Sequence, residues 1–325
     1  DQIGRKPVIV AGLTLLILGS VVAALADTLT WLAIGRLLQG SGAIASATMA
    51  LAADYTRVEQ RTKASAIIGA SIGVSFALAL VLGPVLAAWG GLSRVFETTA
   101  ILGGLGLLVV VFWLPPTPDI SEAGRSHIAD RERLGEALWG RGLGALYGSI
   151  FCLHLLLMAA FTAIPSVMIN EVALPPEQHA WMYLMTLLGA LPGVAILVRR
   201  HRRMTDPRGL IAVAILLTVA GLVVSLWSLS VWTLGLGLVL FFAGFTALET
   251  ILPALVSIFA PTTLRGTAMG IFSSAQFLGV FAGGALGGNA LYWGGYEGLV
   301  AAVLGLTLIW LFGLWRFSHA PVSTT

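Results

Sequence analysis

Ten apolar stretches run along the chain, each long enough for a helix to cross the roughly 30 Å of bilayer hydrocarbon. They lie at 7–25, 29–53, 64–88, 94–114, 143–168, 179–198, 209–228, 231–259, 266–290 and 296–316. Most are joined by short polar turns, but 115–142, PPTPDISEAGRSHIADRERLGEALWGRG, is one long charged segment. Bilayer hydrocarbon supplies no partner for backbone N–H and C=O groups, so runs of this length are read as helices. The pattern predicts an all-α membrane protein. It has a helical bundle at 1–114, an interbundle loop at 115–142, a second helical bundle at 143–317 and a polar tail at 318–325.

Composition strengthens that reading: 58% of residues are hydrophobic and 10% charged, with a mean hydropathy of +0.94. The 39 glycines suit close helix packing in lipid, and the 10 tryptophans suit interfacial belts. The net charge of +3 is small and falls in short segments between apolar runs, which excludes a nucleic-acid footprint. All but two of the 18 lysines and arginines fall on one side of the implied topology, Arg94 and Arg36 being the exceptions. The positive-inside rule then makes 115–142, 199–208 and the C-terminus cytoplasmic. Cys152 is the single cysteine, so no intramolecular disulfide forms. The chain starts at Asp1 and enters an apolar run within six residues without a signal peptide's features, and it reads as cut at its N-terminus.

Arg36 stands inside the second run with no other charge between Asp27 and Asp54. An arginine at the centre of a membrane helix costs at least about 2.5–3.5 kcal/mol on insertion scales, so it is expected to face a water-filled cavity or a partner acid on a transport path. Gln39 lies three residues on, sharing a helical face, and Gly40 lies four on, where a second helix is expected to approach closely. A permanently charged guanidinium can bias proton release from a nearby carboxylate. A guanidinium simply fixed by helix carbonyls fits the same position. Glu249, in FFAGFTALETILPALV, is the acid deep in the eighth run, and it reads either as a proton site or as a vestibule gate. His154 in the fifth run reads as a titrating group or as a donor to a helix carbonyl, with the second preferred. Glu97 beside Arg94 reads as a surface pair. Gly83 and Pro84 are expected to bend the third run. Phe241, Phe245, Phe272 and Gln276 read as an aromatic and amide cavity wall for amphipathic compounds, or, for the phenylalanines, as lipid-facing groups.

RTKASAIIGASIG from Arg61 aligns with RGTAMGIFSSAQF from Arg265. The same offset pairs Gly40 with Gly244, and Ala79 and Gly83 with Gly283 and Gly287. Parallel repeats across a central loop are one way transporters are built, and chance likeness of glycine-rich helices is the other reading. No HExxH, CxxC, GxxxxGK[ST] or GxSxG is present, so no enzyme, metal or cofactor is expected and transport must draw on an ion gradient.

The motifs carry a resemblance as well. DQIGRK at Asp1 looks like the second part of the major facilitator loop motif between helices two and three, with Gln2 where a basic residue is usual. RLLQGSG, from Arg36 to Gly42, matches the RxxQGxG pattern of helix four. ALVLGPVLAA from Ala79 is similar to the GxxxGPxxGG antiporter pattern of helix five, with alanine at three of its glycines. With ALETILPAL around Glu249, the chain resembles the drug and proton antiporter branch of the major facilitator superfamily.

That resemblance implies two pseudo-symmetric six-helix bundles, with the ten runs as helices three to twelve. It implies proton coupling through Arg36 and Gln39. It also implies a cytoplasmic latch of Asp1, Gly4, Arg5, Lys6 and Asp54, in which Asp1 faces the helix start near Gly266 and Arg5 pairs with Asp54. The expected activity is proton-coupled export of lipophilic or drug-like small molecules across the plasma (inner) membrane by alternating access. The expected partners are a small-molecule substrate, protons and the lipid bilayer, and the expected state is a monomer. Proton-linked metabolite uptake and a non-transporting sensor or scaffold are the alternatives, and the intramembrane arginine weighs against the last.

Overall fold

The computed structural model describes residues 5–42, 44, 47–48, 51–52, 55–57, 60–114, 135, 138, 140–201, 203–204, 206–261 and 264–317. Eight long helices follow one another among them. They are α1 (Arg5–Ala24), α2 (Leu29–Ser41), α3 (Arg61–Trp113), α4 (Leu143–Asn170), α5 (Pro176–His201), α6 (Arg208–Leu226), α7 (Val231–Phe259) and α8 (Arg265–Phe317). All but the 13-residue α2 are long and apolar enough to cross a membrane.

The two 53-residue helices each carry two of the predicted runs. A straight helix of that length would extend about 80 Å, far beyond one crossing. Both are broken at glycine. In α3 the break is at Gly90 and Gly91 (φ 73°, ψ −168°), and in α8 at Gly295 (φ 58°, ψ −156°), backbone conformations that only glycine adopts readily. Beyond the second break, a Cβ on Gly298 would stand 2.9 Å from the Ala290 carbonyl oxygen, so the two limbs fold against each other. The backbone keeps helical dihedrals through Gly83 and Pro84, and the break at Gly90 and Gly91 falls between the third and fourth predicted runs.

α2 stops at Ser41, where the N–H of Gly42 bonds back to the carbonyls of Leu38 and Gln39 at 3.2 Å each, and residues 47–48 and 51–52 further along the second run are again helical. A Cβ on Gly42 would collide with the Gly12 carbonyl oxygen and stand 2.9 Å from the Leu16 nitrogen.

The described chain divides into two compact units, 1–130 and 131–325. In the first, α1 packs on both α2 and α3. Ile9, Leu13 and Leu51 form its core, with Leu16, Ile44, Leu107 and Val110 against them. Lys6 closes the end of α3 by donating from Nζ to the carbonyls of Val111 (3.1 Å) and Leu114 (2.7 Å), cations being favoured at helix C-termini. In the second unit, α8 lies on α4 through Gly279, Gly283 and Gly287, whose absent side chains let it rest on Phe151, Leu155 and Ala159. Trp310 Nε1 donates to Ser149 Oγ at 2.9 Å and ties the second limb of α8 to the same helix.

The two units share one crossing. In the first, Gly19 of α1 faces Gly35 of α2: a Cβ on Gly19 would lie 2.6 Å from the Gly35 oxygen, and one on Gly35 would lie 2.7 Å from the Ala23 nitrogen. In the second, Gly221 of α6 faces Gly237 of α7, at 2.5 Å from the Gly237 oxygen and 2.8 Å from the Ser225 nitrogen. Gly42 against Gly12 and Leu16 is matched by Gly244 against Ala214 and Thr218. Thr28 and Ser230 cap α2 and α7 alike, accepting from the amides of Trp31 (3.3 Å) and Thr233 (3.2 Å). A single offset joins all these pairs, two residues shorter than the one joining Arg61 to Arg265. Gly244 therefore pairs with Gly42, which corrects the pairing with Gly40.

Gly40 itself is exposed, and no heavy atom stands within 4 Å of where its Cβ would be, so the close approach expected there belongs to Gly35 and Gly42. Gly35→Ala and Gly237→Ala should each destabilise the detergent-solubilised protein by about 1–3 kcal/mol, since backbone must move to admit the methyl. Gly40→Ala should leave the melting temperature unchanged in the same fluorescence-detected thermal scan.

Candidate functional site

Each unit holds polar groups inside its membrane-spanning helices. In the first, Arg36 Nη1 donates to Gln39 Oε1 at 2.8 Å, and Gln39 Nε2 donates to Ser20 Oγ at 2.7 Å. The Ser20 hydroxyl in turn donates to the Leu16 carbonyl at 2.7 Å. Arginine has only donors, so Gln39 must offer it the amide oxygen and turn its NH2 to Ser20. The Gly19–Gly35 contact makes this possible: Ser20 follows the glycine that lets α1 approach α2 closely enough for its hydroxyl to reach Gln39. Ser20 and Gln39 are buried, whereas Arg36 is exposed, with its guanidinium carbon 6.0 Å from the centre of the Phe96 ring. Among the described residues no carboxylate pairs with it. Arg36 is thus fixed by a side-chain amide and not by helix carbonyls.

In the second unit, α4, α7 and α8 converge on His154, Glu249 and Gln276. His154 Nδ1 lies 3.2 Å from the Ile150 carbonyl and must donate to it, which leaves Nε2 as the acceptor of the neutral ring. Gln276 Nε2 sits 2.8 Å from that Nε2 and 3.2 Å from Glu249 Oε1, so one NH2 group serves both. Glu249 Oε2 is occluded, has no hydrogen-bond partner among the described residues and lies 3.7 Å from His154 Nε2. The side chain of Glu249 is 34% exposed and that of His154 only 7%, and Gln276 is half-buried, so His154 is the innermost of the three. Phe245 packs edge-on against His154, with centroids 5.6 Å apart, and Phe241 stacks on Phe245.

Chemically, the cluster has two places for one added proton. On Glu249 Oε2 it satisfies the orphaned oxygen. On His154 Nε2 it displaces the Gln276 NH2 and must find an acceptor, either the Gln276 carbonyl after rotation or the nearby Oε2. Only the second position changes what Gln276 can bond, so a proton on His154 and the amide orientation are linked by hydrogen-bond capacity.

A family model described as the Major Facilitator Superfamily matches residues 1–284. The chain belongs to that superfamily. The inner membrane transport protein YajR of Escherichia coli (strain K12) is 40% identical over 317 residues, covering 96% of this chain and 68% of YajR. Among solved structures, the human organic anion transporter MFSD10 superposes with a TM-score of 0.70 at 22% identity, covering 96% of this chain and 77% of that one. A D-xylose-proton symporter does so with a TM-score of 0.70 at 15% identity, covering 98% and 82%. At those identities the likeness shows the fold alone. As a major facilitator protein the chain is a multi-pass membrane transporter and not an enzyme.

The residues singled out from the sequence of this major facilitator protein are distributed unevenly. Arg36 and Gln39 are in direct contact, and His154, Glu249 and Gln276 form one cluster. Asp1, Gly4 and Asp54 of the latch lie outside the described residues. Arg5 begins α1, and Lys6 caps α3. No heavy atom stands within 4 Å of a Cβ at Gly83. Phe241, Phe245 and Phe272 are no more than 4% exposed. They are packing groups of the second unit, neither lipid-facing nor an open wall, because α7, which carries Phe241 and Phe245, is surrounded by α4, α5 and α6, and Phe272 is buried on α8, which packs on α4. Arg94 pairs with Glu97 at 2.7 Å on the surface, as their spacing implies.

Ser20 escaped sequence reasoning altogether. A serine in an apolar helix ordinarily satisfies itself on the carbonyl one turn back, and only the partner helix reveals that its oxygen also accepts. Ser20→Ala should leave the Gln39 NH2 buried without an acceptor, at about 1–3 kcal/mol. We expect a lower melting temperature for Ser20→Ala and restoration by Ser20→Thr.

Proposed function

We propose that this major facilitator protein exports lipophilic or drug-like small molecules across the inner membrane in exchange for protons, by alternating access. One observation carries the proposal. The twin crossings are built alike in backbone, yet where the first unit has Ser20, Arg36 and Gln39 the second has Leu222, Leu238 and Phe241, all three buried. The crossing therefore forms without polar groups, and the hydrogen-bonded chain from Ser20 through Gln39 to Arg36 answers to something other than folding. A fixed intramembrane charge has its best-attested use on an ion or substrate path. This argues against a scaffold that merely keeps the fold.

In this reading Arg36 is the constant positive charge that biases proton release, and Glu249, with His154 and Gln276, is the proton carrier. Glu249 suits that role because it combines an unpartnered oxygen with an exposed edge. The cytoplasmic latch of Asp1, Gly4, Arg5, Lys6 and Asp54 would hold one side shut while the other opens. A cytoplasmic placement of 115–142, 199–208 and the C-terminus follows from the arginine bias, and a monomer suffices for the cycle.

The test uses the full-length transporter in efflux-deficient bacterial cells, following accumulation of a lipophilic cationic dye. Wild type should lower accumulation, and a protonophore should abolish the effect. Arg36→Leu, which copies Leu238 and frees the Gln39 oxygen, should keep expression and lower the melting temperature no more than Ser20→Ala does, while export is lost. No effect of wild type across a chemically varied dye panel would overturn export. A companion measurement in proteoliposomes addresses the carrier: Glu249→Gln should make dye exchange indifferent to an imposed pH gradient, and an unchanged response would remove Glu249 from that role.

A further inference from the structure

A cavity of about 840 Å³ opens between the start of α6 and the end of α8, and none of His154, Glu249 and Gln276 lines it. Asp206 and Arg208 line one side, and Leu311, Phe312 and Trp315 line the other. Its size is that of small-molecule sites. Arg208 begins one membrane-spanning helix and Trp315 ends another, so the cavity lies where hydrocarbon meets water. Phe312 and Trp315 are 65% and 72% exposed, presenting an apolar face outward at that level.

The polar side is lined by one ion pair and is preceded by a strongly cationic segment. Arg208 holds Asp206 with two groups: Nε lies 2.9 and 2.8 Å from the two carboxylate oxygens, and Nη2 lies 2.7 Å from one of them. These hydrogen bonds keep the Asp206 carboxyl below its usual range, so the pair stays ionic. Among the described residues nothing engages Nη1. The turn leading into α6 comes from the exposed Arg199, Arg200 and Arg203, and the only acid in 199–208 is Asp206. A guanidinium with a spare edge, in a basic surround and beside an apolar wall, matches an anionic headgroup joined to hydrocarbon.

We propose that this cavity binds an anionic diacyl phospholipid, its phosphate on Arg208 and the neighbouring arginines and its acyl chains along Leu311, Phe312 and Trp315. A free phosphate would leave the apolar wall unused, and a zwitterionic lipid would gain little from the basic surround. Asp206 sets the strength of the site, because it occupies part of the guanidinium and repels the phosphate. The lipid site is independent of the transported cargo and of the proton cluster.

The experiment places the full chain in bilayers containing phospholipids with dibrominated acyl chains and reads quenching of Trp315, taken as the difference between wild type and Trp315→Phe. Brominated phosphatidylglycerol should occupy the site about fivefold or more over brominated phosphatidylcholine at low salt, since one surface arginine is worth roughly that factor. Arg208→Gln should lower the preference about fivefold, and Asp206→Asn should raise it. Opposite signs from the two halves of one ion pair distinguish a charge effect from local collapse. Equal quenching by both lipids would overturn the proposal. So would a shift in the same direction for the two variants, or loss of the preference on adding inorganic phosphate at constant ionic strength.

Discussion

The bilayer offers no water to a polar group, and the structure is organised around that fact. Hydroxyls inside the helices turn back on the carbonyl one turn earlier, as Thr14, Ser149, Thr162, Thr218 and Thr307 do. Helix ends are closed from within the protein, by the Thr28 and Ser230 oxygens at two N-termini and by the Lys6 ammonium at the end of α3. Lipid also removes the hydrophobic drive between helices, so association falls to close contact, which explains why glycine sits at the crossings of α1 with α2, α6 with α7 and α4 with α8.

Against this background the exceptions are informative. Besides the Trp310–Ser149 and Tyr296–Ser166 bonds, networks of three polar side chains join helices in two places among the described residues: the Ser20–Gln39–Arg36 chain of the first unit and the His154–Gln276–Glu249 cluster of the second. Internal duplication supplies the comparison that separates structure from function. The same glycine contacts and the same N-caps are built twice, once with polar residues at the crossing and once with Leu222, Leu238 and Phe241. In the first chain the Gln39 amide and the Ser20 hydroxyl are both engaged, and Arg36 is tied to Gln39. The second keeps one carboxylate oxygen without a partner, and a group so poised gains most from a proton or a donor on a substrate.

Much of this was legible beforehand. Ten apolar runs became helical segments, and the i, i+3 spacing of Arg36 and Gln39 placed them in contact. Glu249 and His154 were visible because ionisable groups are rare in such runs. Gln276 was visible only as a polar residue, and its bridging role depends on α8 meeting α4 and α7, which no local pattern encodes. The phenylalanines misled for the same reason: an aromatic face at helical spacing reads alike whether it meets lipid, a cavity or another helix, and here it meets helices. Gly40 misled because the repeat offset was taken from Arg61 and Arg265, beyond a two-residue change of length.

The sequence by itself determined the membrane class, the apolar helices and the candidate ionisable residues, because apolar length and the cost of intramembrane charge are properties of a segment and its solvent. Tertiary structure alone decided where α2 stops, which glycines carry the crossings, that Ser20 orients Gln39, and that three helices bring His154, Gln276 and Glu249 within bonding distance. Those are contacts between residues up to 128 positions apart, as Gly279 and Phe151 are, and they are set by how close two backbones come, a quantity fixed by both partners at once.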